Sequence, residues 1–258
     1  MRFIPRPLAV AALALALGAC APAAVRPAAA PVTDAESLVR AMHDRYAGRW
    51  YRTLTFTQTT SRRLPNDSVS SETWLEWASI PGSLRIQMGA ASEGRGALFT
   101  NDSTYSIQHG AVVRRVGSRN PLMLLGFDIY AQSPERSLAM LREEGFPLAP
   151  VRVDSWQGRP AYVLGGAPGD LHSKQLWFDQ ERLLFVRMIE PDPRDGTKTV
   201  ETRFNRYEPA GKGWIATEVE VVREGRRMFW EEYTNVRVDV PLNPVLFQPE
   251  RWSEAAGR

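Results

Sequence analysis

From Trp50 onward the chain breaks into short runs of β-forming residues separated by tight turns, and this punctuation limits the fold more than any other feature. Residues 52–61 are rich in Thr and Phe, Pro65-Asn66-Asp67-Ser68 reads as a turn, and residues 72–79 run extended again. Pro81-Gly82 reverses the chain, after which Leu84, Ile86 and Met88 alternate with Arg85 and Gln87. Turns at Asn101-Asp102 and His109-Gly110 divide the segments 97–100, 104–108 and 111–116. A second series covers 151–156, 160–164, 174–178, 183–190, 197–208, 214–223 and 227–238. Links this short demand antiparallel pairing, because parallel neighbours need crossovers of roughly a dozen residues or more.

Helical spacing occurs in two places. Residues 33–48 place Leu38, Val39, Met42 and Tyr46 on one face, with Thr33 as N-cap, Glu36 completing a capping box and Gly48 at the C-terminal stop. Between the two strand series, Asn120-Pro121 starts a helix over 122–130, which Gly126 weakens, and Ser133-Pro134 starts another over 135–144. The predicted fold is mainly β with a helical lid (α+β). A single curled antiparallel sheet forms an unclosed β-barrel over the N-terminal helix and the central helical segment. One domain spans 33–250, and 251–258 form a C-terminal tail.

The first residues carry Arg2 and Arg6 and then a short uncharged apolar run from Leu8 to Leu17. That run is too short for a spanning helix and suits an export signal over residues 1–19. Leu17-Gly18-Ala19-Cys20 resembles the lipobox of bacterial lipoproteins, which implies cleavage before Cys20 and acylation of its thiol. An ordinary A-x-A cleavage site at Ala19-Cys20-Ala21 is the alternative. Cys20 is the only cysteine, so no internal disulfide framework exists. The Ala/Pro-rich stretch through residue 32 reads as an extended tether. Ala21 in place of an aspartate implies, by the same resemblance, the periplasmic face of the outer membrane. Without Arg2 and Arg6 the chain has 30 basic against 29 acidic residues, interspersed along its length. That balance argues against a nucleic-acid partner.

Taken in order, several segments resemble the Lol-type family of periplasmic lipoprotein carriers and receptors, LolA, LolB and their relatives. They are the N-terminal helix followed by Leu54-Thr55-Phe56-Thr57-Gln58, then Pro81-Gly82-Ser83-Leu84-Arg85, then the 99–107 hairpin and Asn120-Pro121-Leu122-Met123-Leu124-Leu125. Trp177-Phe178-Asp179 running into 183–188 and the closing Pro241–Pro249 segment complete the set. The resemblance implies an unclosed half-barrel whose hydrophobic cavity takes acyl chains of lipoproteins or other lipids, with no cofactor and no metal. The soluble carriers often have an arginine just before the proline; here that position is Ile80. A lipid-anchored, monomeric member is expected, with acyl lipid or lipoprotein as partner and a role in sorting or lipid transfer.

The candidate cavity wall is the set of apolar strand residues Leu84, Ile86, Met88, Leu98, Ile107, Leu176, Phe178, Leu184, Val186, Met188 and Phe204. A hollow for hydrocarbon needs apolar walls and few polar groups. The same residues would serve equally as a filled core beneath the helices, leaving a non-catalytic envelope interaction protein. Eight tryptophans suit either a lipid-headgroup level or plain strand packing. Catalysis finds no motif: His43, His109 and His172 are far apart in sequence, and no HExxH or G-x-S-x-G is present. Asp192–Gly196 reads as a hairpin turn and lacks the ligand spacing of a calcium loop. Glu218 and Glu220 are expected on a solvated strand face.

Overall fold

The computed structural model describes residues 31–255. The expected export signal and Cys20 therefore lie outside the described residues.

Thirteen strands form one antiparallel sheet in the order β6-β5-β4-β3-β2-β1-β13-β12-β11-β10-β9-β8-β7. The first meander comprises β1 (Thr53–Arg63), β2 (Val69–Ser79), β3 (Ser83–Met88), β4 (Gly96–Phe99), β5 (Thr104–Gln108) and β6 (Ala111–Val116). The second comprises β7 (Val151–Trp156), β8 (Arg159–Leu164), β9 (Gln175–Asp179), β10 (Phe185–Asp192), β11 (Asp195–Ala210), β12 (Gly213–Arg223) and β13 (Arg226–Val238). The two halves join where β1 pairs with β13, from Leu54↔Val238 to Arg62↔Phe229. Strands β6 and β7 are left as free edges, so the sheet is not closed. The helices α2 (Pro121–Gly126) and α3 (Pro134–Glu143) carry the chain from one edge to the other.

Helix α1 (Ala35–Tyr46) begins one residue later than its sequence suggests. Asp34, and not Thr33, is the N-cap: its Oδ1 accepts from Ser37 N at 2.7 Å, and Ser37 Oγ accepts from Asp34 N at 3.1 Å. A carboxylate is the stronger acceptor next to the positive end of the helix, and Ser37 at N3 completes the reciprocal box. Leu38, Val39 and Met42 are fully buried, each contributing roughly 1.5–3 kcal/mol of hydrophobic burial.

The helix expected over 122–130 is split. After Gly126 the backbone leaves the α region at Phe127 and continues as a 3-10 turn, Asp128–Tyr130. A Cβ on Gly126 would sit 2.8 Å from the Phe204 ring, so the missing side chain lets the lid lie directly on the sheet.

One face of the sheet, the inner face, carries the main core with α1, α2 and α3. The outer face holds two smaller clusters. Residues 251–255, set apart in the sequence as part of a tail, form the end of a 3-10 segment packed on that outer face. Trp252 is 1% exposed there and touches Leu98 and Ile107.

Candidate functional site

The wall residues divide between the two faces. Leu84, Ile86, Leu176, Phe178, Leu184, Met188 and Phe204 all belong to the inner core, and the partly buried Met88 packs against it. Leu98, Ile107 and Val186 lie on the outer face. For Leu98 the register explains this. It sits opposite Arg85, whose neighbours Leu84 and Ile86 point inward, and residues directly opposite share a face. Ile107 follows Leu98 outward, next to Trp252. Val186 turns outward because β10 has a bulge there: the pairing with β9 steps from Phe185↔Phe178 to Arg187↔Trp177. The extra residue, Val186, points outward with Arg187, and Met188 returns inward, which breaks the apparent alternation of Leu184, Val186 and Met188.

The inner space is filled unevenly. At one end it is closed by aromatic rings: Trp50 stacks on Tyr130 at 4.1 Å, and Tyr46 meets Trp50 edge-on at 5.0 Å. Their hydroxyls are tied to the strands. Tyr46 donates to Arg182 O at 2.6 Å, Tyr51 donates to Trp214 O at 3.1 Å, and Tyr130 accepts from Phe185 N at 2.8 Å. Phe178, Phe185 and Phe204 continue the layer in edge-on contacts. Burial drives the Tyr51, Tyr130 and Tyr207 hydroxyls upward from their ordinary pKa, so they stay neutral hydrogen-bonding groups.

Beneath α2 a hollow of about 60 Å³ remains. Its apolar lining includes Leu84, Ile86, Phe204 and Val219 from the sheet and Leu122, Met123 and Phe127 from the lid. The lining also carries the polar groups of Gln58, Glu76, Asn120, Glu231 and Tyr233. Strand β1 runs between β2 and β13; Glu76 lies opposite Phe56 and Glu231 opposite Thr60, diagonally on either side of Gln58. Tyr233 donates to Glu231 Oε2 at 2.6 Å, and Gln58 Nε2 donates to Thr60 Oγ1 at 2.7 Å. Glu76 is 3% exposed, and its Oε1 has no hydrogen-bond partner. Burial pushes both carboxyls above the usual range, and the neighbouring Glu231 pushes Glu76 further. Two carboxyls in an apolar space do not ionise independently, and both are biased toward the protonated form.

Sequence reading missed these acids, although a signal existed. Glu76 lies two residues from Trp74 and Ala78, and Glu231 two residues from Phe229 and Tyr233. An acid with apolar neighbours at both i±2 positions shares their buried face.

The lid is fastened at its far end by Asp128, whose Oδ1 accepts from Gly82 N at 3.1 Å across the β2–β3 turn. Burial raises the Asp128 carboxyl to about 7, against the lowering effect of that hydrogen bond. A second opening of about 120 Å³ lies where β10 and β11 part, since their pairing begins only at Arg187↔Arg203. It is bordered by Trp156, Ala161, Leu184, Val186, Phe204 and Tyr207, and flanked by the Arg159–Asp179 ion pair at 2.6 Å.

Glu218 and Glu220 are not solvated as expected. Arg227 pairs with both, at 3.1 and 3.0 Å, and Arg203 reaches Glu220 at 3.3 Å. Arg187 joins this outer-face ladder through Glu201 at 2.8 Å and stacks over Trp156 at 4.2 Å. The three histidines sit on separate elements, in α1, in the β5–β6 turn and before β9. Among the described residues no group of three or more His, Cys, Asp or Glu is placed to hold a metal ion. No helix among them is long and apolar enough to cross a membrane.

An unclosed antiparallel half-barrel, with helices lying in its opening over an apolar inner face, defines the LolA-like fold, and this chain has it. Solved structures bear this out. A DUF1329 family protein from Desulfovibrio piger superposes with a TM-score of 0.57 at 15% identity, over 83% of this chain and 95% of that one. A putative outer membrane lipoprotein-sorting protein domain from Vibrio parahaemolyticus gives 0.58 at 10% identity, over 84% and 97%. A LolA superfamily protein from Nitrosomonas europaea gives 0.51 at 9% identity, over 81% and 97%. At these identities the likeness is one of fold. No family model matches the sequence, and no curated protein matches it.

Proposed function

We propose that this protein is a non-enzymatic, membrane-tethered lipoprotein that binds acyl chains of lipids or lipoproteins between its sheet and the α2 lid. The tether is the acylated Cys20, holding residues 33–250 off the periplasmic face of the outer membrane by the Ala/Pro stretch. The observation that carries this reading is the hollow beneath α2. It has apolar walls, it lies in the opening of an unclosed sheet, and it is covered by a short helix joined to its neighbours through the break at Gly126–Phe127. Two fold neighbours, a putative outer membrane lipoprotein-sorting protein domain and a LolA superfamily protein, agree with such a role.

The hollow of about 60 Å³ is far below the roughly 300 Å³ at which ligand pockets begin, so binding requires the lid to lift. Each Å² of apolar surface removed from water then contributes about 25 cal/mol. The same small volume favours the second reading, an envelope interaction protein with a filled core.

Native mass spectrometry separates the two. The full chain is delipidated, exposed to an envelope lipid extract and weighed intact. Retained acyl species are expected, together with their loss in Leu84→Glu and Ile86→Glu, both in the wall of the hollow. No adduct on the native chain, or undiminished uptake by both variants, would overturn the acyl-binding assignment.

A further inference from the structure

Two buried acids are foreign to a pocket that needs only hydrocarbon walls. Glu76 Oε1 is sequestered from water, lines the hollow and accepts no hydrogen bond. Two donors of the lining are already engaged, Tyr233 with Glu231 and the Gln58 amide with Thr60. Burial dominates at both carboxyls; Glu231 adds to it at Glu76, while Tyr233 and Gln58 act against it at Glu231. A buried acidic pair without a counter-charge is costly unless something completes it.

We infer that the hollow seats an amphiphile whose polar end is a primary ammonium, held between Glu76 and Glu231. The inference rests on the acyl-binding reading above and specifies the headgroup for it. An ammonium carries three donors and a positive charge in a volume that the existing space accommodates. It would donate to the unpartnered Glu76 Oε1 and to Glu231, and its charge would favour the ionised carboxylates. The hydrocarbon tail would run along Leu84 and Ile86 beneath Met123, the lid rising to admit it. An alcohol supplies a single donor and no charge. A phosphate beside the amine has no cation to meet and is repelled by the carboxyls, which selects a simple amine over a phospholipid head.

The full chain is titrated calorimetrically at pH 7.5 with dodecylammonium, dodecanol and lysophosphatidylethanolamine, each below its micellar concentration. Native protein is expected to prefer the amine to the alcohol by about tenfold or more. The zwitterion should bind no better than the alcohol. In Glu76→Gln/Glu231→Gln the amine preference should vanish while alcohol binding changes by less than about twofold. Matching melting curves and circular dichroism confirm that the variant folds, and the single variants serve if it does not. Equal binding of amine and alcohol by native protein, a preference surviving in the variants, or a zwitterion matching the amine would each overturn the inference and leave acyl binding standing. Failure of all three ligands to bind would remove both.

Discussion

At the scale of single residues, Asp128 joins lid and sheet through a group whose charge depends on pH. Below 3.8 its carboxyl is neutral in both folded and unfolded chains. Between 3.8 and about 7 the unfolded chain releases a proton that the folded one keeps, so stability falls as pH rises, and above 7 the loss is complete. Asp128→Asn keeps an oxygen for Gly82 N–H and removes the charge. It should raise stability at pH 8 by of the order of a few kcal/mol and match native protein near pH 3, as read from denaturant midpoints against pH. Residue-level placement is also where sequence reasoning reached least far. Leu84, Ile86 and Phe204 were legible as inward-facing because each sits in undisturbed alternation. Val186 was not, because one bulge inverts its face, and Leu98 required knowing that it lies opposite Arg85.

Whole elements were easier to read. The strand segments between 50 and 238 were visible because Gly, Pro, Asn and Asp mark nearly every turn, and turn chemistry is local. The closing contact of the C-terminal segment was invisible for the opposite reason. Nothing near Trp252 in sequence shows that it will cover Leu98 and Ile107, with the Arg85 guanidinium 3.4 Å from its ring and donating to Leu246 O and Trp252 O. Arg85 is fully buried without an acidic partner, and burial lowers it to about 10. Removing the ring leaves that cation uncovered. Trp252→Ala should cost about 3–5 kcal/mol in chemical denaturation. It should leave acyl uptake intact, because this cluster lies on the outer face. Loss of uptake without loss of stability would contradict that separation.

For the molecule as a whole, the hollow and the proposed lipid anchor are separate devices, and each is tested separately. Cys20→Ser should move the protein from the membrane fraction to the soluble periplasmic extract without altering its melting temperature. Continued sedimentation with membranes would refute the lipobox assignment. Two or more acyl chains are needed for lasting attachment, since a single chain holds only marginally.

The junction between β1 and β13 also bears on how such a chain must be made. The first six strands can stack as a hairpin series soon after they emerge, yet β1 then presents an open row of amides and carbonyls until the last strand arrives, more than a hundred residues later in the chain. During synthesis that uncapped border is a ready template for the wrong neighbour, including a sister copy. A fold sealed by its final strand therefore favours a chain kept loose and escorted, with zippering deferred until the whole polypeptide has been made.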